Sequence, residues 1–314
     1  MRRALEFCAR QGAVLLAASI FLGLLVPPLA RAMRFIITPT VVGLMTLVLL
    51  RVDFAAVFAY LRRPVLVVWL LAWLMVGAPI AAFAAVRLAE VVGVSGPLGA
   101  AFVIAATGCA ATSAPAFARL VGLDAQLSLV GSVLSTLLVP FTAPPLALGL
   151  LGVVLPITVG GLMARLALVV GLPLLASLLI RRVVGDERLS PWGGAIDGAA
   201  VLLVCLYGIA VMDGILAAAV SRFGLVAAAT LLAFLVNYGM NALTTLLFLP
   251  FGRAIALATG LMSGNRNMAL YLAVMPRDSD PALLMFFALC QFPLFLSPFL
   301  LRPIYRRLVR PQPS

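Results

Sequence analysis

Apolar residues run along this chain in about ten long blocks, separated by short joints rich in arginine, proline and glycine. The blocks cover residues 12–29, 35–50, 65–88, 97–119, 125–150, 159–181, 196–218, 223–248, 253–275 and 281–301. Most approach the roughly 20 residues that a helix needs to cross a ~30 Å hydrocarbon core. The ~10-residue segments of alternating hydrophobicity expected of a β-barrel are missing. The pattern predicts an all-α polytopic membrane protein with about ten transmembrane helices. The run at 14–30 follows Arg2 and Arg3 as in a signal peptide. It lacks a clean small-residue cleavage site and leads into further spans, so it is expected to stay as the first helix.

Composition agrees with the pattern: 64% of the 314 residues are hydrophobic and 10% charged. A soluble domain has about 25% charged residues. The net charge of +12 comes from 22 basic residues, all arginine, with no histidine. In a soluble chain that excess would suggest nucleic acid. Here the arginines lie mostly between apolar blocks, so they report orientation and no nucleic-acid partner is expected. With the N-terminus in the cytoplasm, Arg31, Arg34, Arg87, Arg222 and Arg277 fall outside, Arg165 and Arg266 fall within spans, and the other fifteen fall inside. The positive-inside rule therefore places both termini in the cytoplasm of a multi-pass protein of a cytoplasmic (inner) membrane, which requires an even number of spans. Cys8, Cys109, Cys205 and Cys290 are far apart, without metal or redox spacing, and read as small apolar fillers.

Two blocks are interrupted by polar residues. The fourth contains Thr107-Gly108-Cys109-Ala110-Ala111-Thr112-Ser113-Ala114-Pro115, and the ninth contains Thr259-Gly260-Leu261-Met262-Ser263-Gly264-Asn265-Arg266-Asn267. Each is fourth in a set of five, which predicts two repeats, 1–155 and 156–314. Five spans are an odd number, so the second repeat must be inverted. Paired interrupted helices in corresponding positions of inverted halves mark the binding site of secondary transporters. A cation at that depth costs several kcal/mol unless it faces a cavity or a partner, so Arg266 belongs to the site. Breaking a helix frees backbone groups, and two crossed breaks can satisfy each other and hold a solute or ion.

The candidate binding residues are Thr112 and Ser113 in the first break and Ser263, Asn265, Arg266 and Asn267 in the second. Ser128 and Ser132 share a face of the fifth span with Thr136, and Asn237 and Asn241 share a face of the eighth. The serines could equally bond carbonyls of their own helix. Pro140, Pro144 and Pro145 suggest a bend in the fifth span. Asp197 and Asp213, about 24 Å apart along the seventh span, read as interfacial acids or as proton-coupling groups.

The stretch Leu120-Val121-Gly122-Leu123-Asp124-Ala125-Gln126-Leu127-Ser128, followed by Ser135-Thr136-Leu137, Pro140 and Pro144, resembles the bile acid:sodium symporter superfamily. So does Gly264-x-Arg266-Asn267-x-Ala269-Leu270 in the ninth span, together with the order of features over nearly the whole chain. The resemblance implies two inverted five-helix repeats with crossed broken helices, a fold shared with sodium–proton antiporters. It implies a panel domain from the first two spans of each half and a core domain from the last three. The implied substrates are small organic anions, moved by alternating access.

The chain departs from the family at its sodium sites. Ser128 and Ser132 match hydroxyl ligands, but Ala114-Pro115 stands where sodium-binding members carry Ser-Asn. Met262 falls on the shared glutamate and Arg266 on a glutamine ligand. A guanidinium ~4 Å from sodium at an effective dielectric of ~20 repels it by about 4 kcal/mol. These departures imply weakened or absent sodium coupling, with no other cofactor and no metal. Arg266 could hold freed carbonyls, pair with the anion, or serve structure alone. The alternatives are an arsenite or metalloid efflux permease using Cys109, and a non-transporting sensor or structural protein. An intramembrane enzyme is not expected, since histidine and the GxSxG and HExxH motifs are missing.

Overall fold

A computed structural model describes residues 2–52, 54–91, 98–151, 157–276 and 279–309. Arg277 and Arg310 of the orientation argument, and the expected repeat boundary at 155/156, lie outside the described residues. Among those described, every regular element is helical, apart from one isolated bridge between Ala110 and Arg266.

Among the described residues, seven helices are long and apolar enough to cross a membrane: Pro27–Leu50, Pro64–Val91, Ala125–Leu150, Val159–Val184, Asp186–Ser221, Phe223–Phe251 and Pro281–Leu308. Large apolar side chains cover their outer surfaces. Leu175 is 65% exposed and Leu231 62%, a cost in water that lipid removes. The chain is thus an all-α multi-pass membrane protein.

The difference from ten expected spans has a local cause in each case. The first block ends at Leu25, and Pro27 starts the next helix, as a residue without an amide donor can. What precedes it is a bent pair, Arg2–Arg10 and Gly12–Leu25, meeting at 83°. The fourth block splits into Leu98–Ala106 and Ala114–Val121, and the ninth into Arg253–Gly264 and Met268–Val274. At 1.5 Å per residue, none of these four pieces spans ~30 Å alone.

The described chain forms two compact units. One comprises Met1–Val52, Ala164–Ala228 and Ala269–Met275, and the other Asp53–Met163, Ala229–Met268 and Pro276–Ser314. In the first, the helix Gly193–Val211 is the hub, flanked by Arg2–Arg10, Gly12–Leu25 and Ile37–Leu50. Asp197 near its start pairs with Arg51 at 3.0 Å, and Asp213 just past its end pairs with Arg34 at 3.5 Å. Both acids therefore have arginine partners near opposite ends of this helix. Arg165 donates to the carbonyl of Val274 at 3.1 Å, satisfying the open end of the helix Met268–Val274.

In the second unit, Gly122 adopts φ +83° and ends the helix Ala114–Val121. The Leu123 amide reaches back to Ala118 O at 2.8 Å and the Gly122 amide to Arg119 O at 3.3 Å, a Schellman closure. Asp124 then accepts from the amides of Gln126 and Leu127, both at 2.9 Å, and starts the helix Ala125–Leu151.

The Tyr60 hydroxyl also donates to Asp124. Burial, and then this bond, push the phenol up to about 12. Because the folded-state value is raised, the contribution is complete below the ordinary tyrosine range near pH 10. It is lost as pH rises through about 12. We expect the thermal midpoint to fall over that alkaline window in the wild type and less steeply in Tyr60→Phe. Equal slopes in a pH-resolved melting series would remove Tyr60 from the account.

Candidate functional site

The site is built where two broken helices meet inside the second unit. Both breaks are extended there, and they pair as one rung of antiparallel sheet. The Ala111 amide donates to Asn265 O at 2.8 Å, and the Asn267 amide to Cys109 O at 2.9 Å. Ala110 and Arg266 are the non-hydrogen-bonded pair between these two bonds. Ser135 on the helix Ala125–Leu151 takes up the amide of Ala110 at 3.2 Å. Backbone groups freed by the breaks are thus satisfied within the protein, as membrane depth requires.

Arg266 is 8% exposed and occupies the junction. Its Nε donates to Ser263 O at 2.9 Å. Its Nη1 donates to Gly108 O and to Leu74 O, both at 2.8 Å. Its Nη2 lies 3.4 Å from Ser263 Oγ. One planar cation therefore ties together both breaks and a third helix, a task for which a guanidinium has enough donors in fixed directions. The half-helices Leu98–Ala106 and Arg253–Gly264 both arrive with their carbonyl ends, where the helix dipole favours a positive charge.

The Leu74 carbonyl is available for a local reason. Residues Trp73–Gly77 form a π-turn within the helix Pro64–Val91, so the amide of Ala78 bonds to Trp73 O and not to Leu74 O. The next donor along would be residue 79, which is proline and has no N–H. Leu74 O is left without an intrahelical donor, and Arg266 supplies one. The Trp73 indole donates to Thr244 Oγ1 at 2.7 Å, anchoring the same turn.

Asn237 buttresses the second break. Its Nδ2 donates to Gly264 O at 2.9 Å and to Asn265 Oδ1 at 3.0 Å. Ser297 Oγ lies 3.2 Å from Asn265 Oδ1, while its proton goes to Pro293 O at 2.7 Å. These bonds fix the Asn237 amide orientation, because Nδ2 must face the carbonyl, and they leave its Oδ1 buried without a donor. Asn237 lines a cavity of about 30 Å³ together with Ala105, Ala106, Ser263, Arg266 and Cys290. That is room for one or two waters, or for the polar end of a ligand.

The residues expected at the site divide. Ser263, Asn265, Arg266, Asn267 and Asn237 meet at the crossing. Thr112 and Ser113 lie half-buried in the turn that leads from it into Ala114–Val121. Ser128 and Ser132 are buried, but their hydroxyls bond Asp124 O and Leu129 O of their own helix turns, both at 3.0 Å. Asn241 pairs with the hydroxyl of Tyr305, 3% exposed, and not with the breaks. Cys109 lies within the first break with no exposed surface. Leu74 O, Ser135 and Ser297 were not expected at the site, nor was Tyr305 as the partner of Asn241. Pro79 was the visible signal for the first, and Ser297 beside Pro298 for the third.

No protein-family model and no curated protein sequence matches this chain.

Proposed function

We propose that this protein is a secondary transporter of a small organic anion, a divergent relative of the bile acid:sodium symporters, in which a fixed arginine replaces a bound sodium ion. The observation that carries the proposal is the three-way donation of Arg266 to Ser263 O, Gly108 O and Leu74 O. A sodium ion between broken helices would neutralise converging carbonyl oxygens, and here a covalently attached cation does so. It cannot leave during a cycle, so sodium binding has no electrostatic vacancy to fill.

Further support comes from order along the chain. Each set of five segments is interrupted at its fourth member, as expected of inverted repeats. The first compact unit takes the first two segments of each half together with Ala269–Met275 of the ninth segment, a division compatible with a panel and a core. The free acceptor on Asn237 gives a solute N–H or O–H a partner beside the crossing. The metalloid-efflux alternative needs an accessible thiol at Cys109, and that side chain is fully buried.

The test is uptake by the purified protein in proteoliposomes, with bile acids, short keto acids and pantothenate-like acids as candidates. We expect saturable uptake of at least one class, unchanged when external sodium is replaced by potassium or choline. Uptake that rises severalfold with sodium would reject the fixed-cation reading. Absence of flux for every anion at several pH values would reject transport of this class.

A further inference from the structure

The N-terminal helix Arg2–Arg10 has a face that neither the packing of its unit nor the transport proposal uses. It meets Gly12–Leu25 at 83°, and that second helix carries the apolar run of the first expected span. If Gly12–Leu25 runs along the membrane normal, Arg2–Arg10 lies across it at the boundary. The inner side of the helix rests on Gly193–Val211: Gly194 faces Glu6, and the backbone of Leu5 sits against Gly198 with no room for a side chain there. The outward side carries Arg3, Phe7 and Arg10, spaced by four and three residues and all exposed. Phe7 is 56% exposed, and Trp192 beside the helix is 52% exposed, with Arg2 stacked 5.7 Å from its ring centre.

The charges at this end of the unit do not cancel. Glu6 is taken by Arg2 at 2.9 Å, Asp197 by Arg51 at 3.0 Å and Asp186 by Arg181 at 3.0 Å. Glu187 stands exposed without an ion pair, and so do Arg3, Arg10, Arg182 and Arg188 among the described residues. Cations outnumber the remaining acid. In water, an aromatic ring held outward between two arginines gains nothing. At the bilayer interface the ring enters the acyl boundary and the arginines meet phosphates.

We propose that the Arg2–Arg10 helix lies in the plane of the membrane interface and binds anionic phospholipid headgroups through Arg3 and Arg10, with Phe7 and Trp192 seated at the headgroup–acyl boundary. The occupant is an anionic lipid because excess positive charge beside exposed rings distinguishes it from a zwitterionic one. The assignment does not depend on what the protein transports.

The experiment uses the full chain in detergent, titrated with phosphatidylglycerol or phosphatidylcholine. Thermal midpoint and lipid adducts in native mass spectrometry are both read. Phosphatidylglycerol is expected to raise the midpoint more than phosphatidylcholine, and the difference should at least halve in R3Q/R10Q. Both arginines are exposed and unpaired, so that variant is expected to fold. As a second readout, Phe7→Cys in a background lacking the native cysteines carries a polarity-sensitive probe. In nanodiscs containing phosphatidylglycerol its emission should be quenched by headgroup-proximal nitroxide lipids. Equal response to the two lipids, a full response in R3Q/R10Q, or a probe that stays in water would each overturn the proposal. An equal midpoint rise with inorganic phosphate would also overturn it, by assigning a soluble-anion site.

Discussion

Arg266→Met is expected to be the most damaging single substitution in this protein. It removes the donor from Ser263 O, Gly108 O and Leu74 O at once, inside a buried junction. A buried polar group left unpaired costs about 1–3 kcal/mol, so the loss amounts to several kcal/mol. That is comparable to the whole stability of many domains. We expect Arg266→Met to yield little folded protein, or a steep drop in thermal midpoint in detergent. Arg266→Lys keeps the charge but replaces the planar fork by a compact ammonium, and should recover only part. An unchanged midpoint in Arg266→Met would end the junction account.

The same geometry makes two finer expectations. Pro79→Ala restores an N–H opposite Leu74 O, so Arg266→Met should cost less in that background, by about the 0.5–1.5 kcal/mol net value of one hydrogen bond. Strict additivity of the two substitutions would detach Pro79 from the site. Arg266→Gln leaves three carbonyl oxygens converging where the guanidinium lay. In that variant, and not in the wild type, sodium should raise the midpoint more than potassium at equal ionic strength. A specifically bound ion stabilises by about 2.7 kcal/mol at a hundred times its Kd. A sodium effect already present in the wild type would contradict the fixed-cation proposal.

Much of this site was legible because membrane depth penalises exceptions. Arg266, Asn265 and Asn267 stand out in an apolar run, and a polar break is the cheapest explanation of all three. What stayed hidden was backbone chemistry. Leu74 looks like any other leucine, and its role follows from a π-turn and a proline five residues on. Hydroxyls were open for a related reason: Ser128, Ser132 and Ser135 are close neighbours along one helix, and only the last reaches the break. Asn241 was grouped with Asn237 by spacing alone, yet its amide goes to Tyr305 on a distant segment. The ten-block count took the fourth and ninth blocks as one interrupted span each, and the structure divides them across gaps of seven and three residues. Pro115 sits in the first turn of Ala114–Val121, where the break ends and proline is tolerated.

Gly260 and Gly264 illustrate the same limit, and they carry the second large prediction. Both lie in the interrupted stretch of the ninth block, yet the helix Arg253–Gly264 runs through both and the break begins at Asn265. Their actual role is close approach to the helix Phe223–Phe248, as small residues four apart allow in membranes. A Cβ on Gly264 would collide with Asn237 O and lie 3.1 Å from Asn241 Cβ, while one on Gly260 would lie 2.6 Å from Asn241 O. These obstacles include backbone atoms, which no rotamer change can move aside. The two helices must separate, and the Asn237 bonds to Gly264 O and Asn265 Oδ1 stretch with them. Overpacking of this kind costs about 1–3 kcal/mol before the hydrogen bonds are counted. We therefore expect Gly264→Ala to lower the thermal midpoint clearly and to impair any transport the wild type performs. Gly239→Ala, on the partner helix with nothing within 4 Å, is the control. It should be neutral or slightly stabilising, because alanine is favoured over glycine within a helix by about 1 kcal/mol. Equal midpoints for the two variants would mean that the crossing tolerates separation, and that the breaks hold each other without support from the helix Phe223–Phe248.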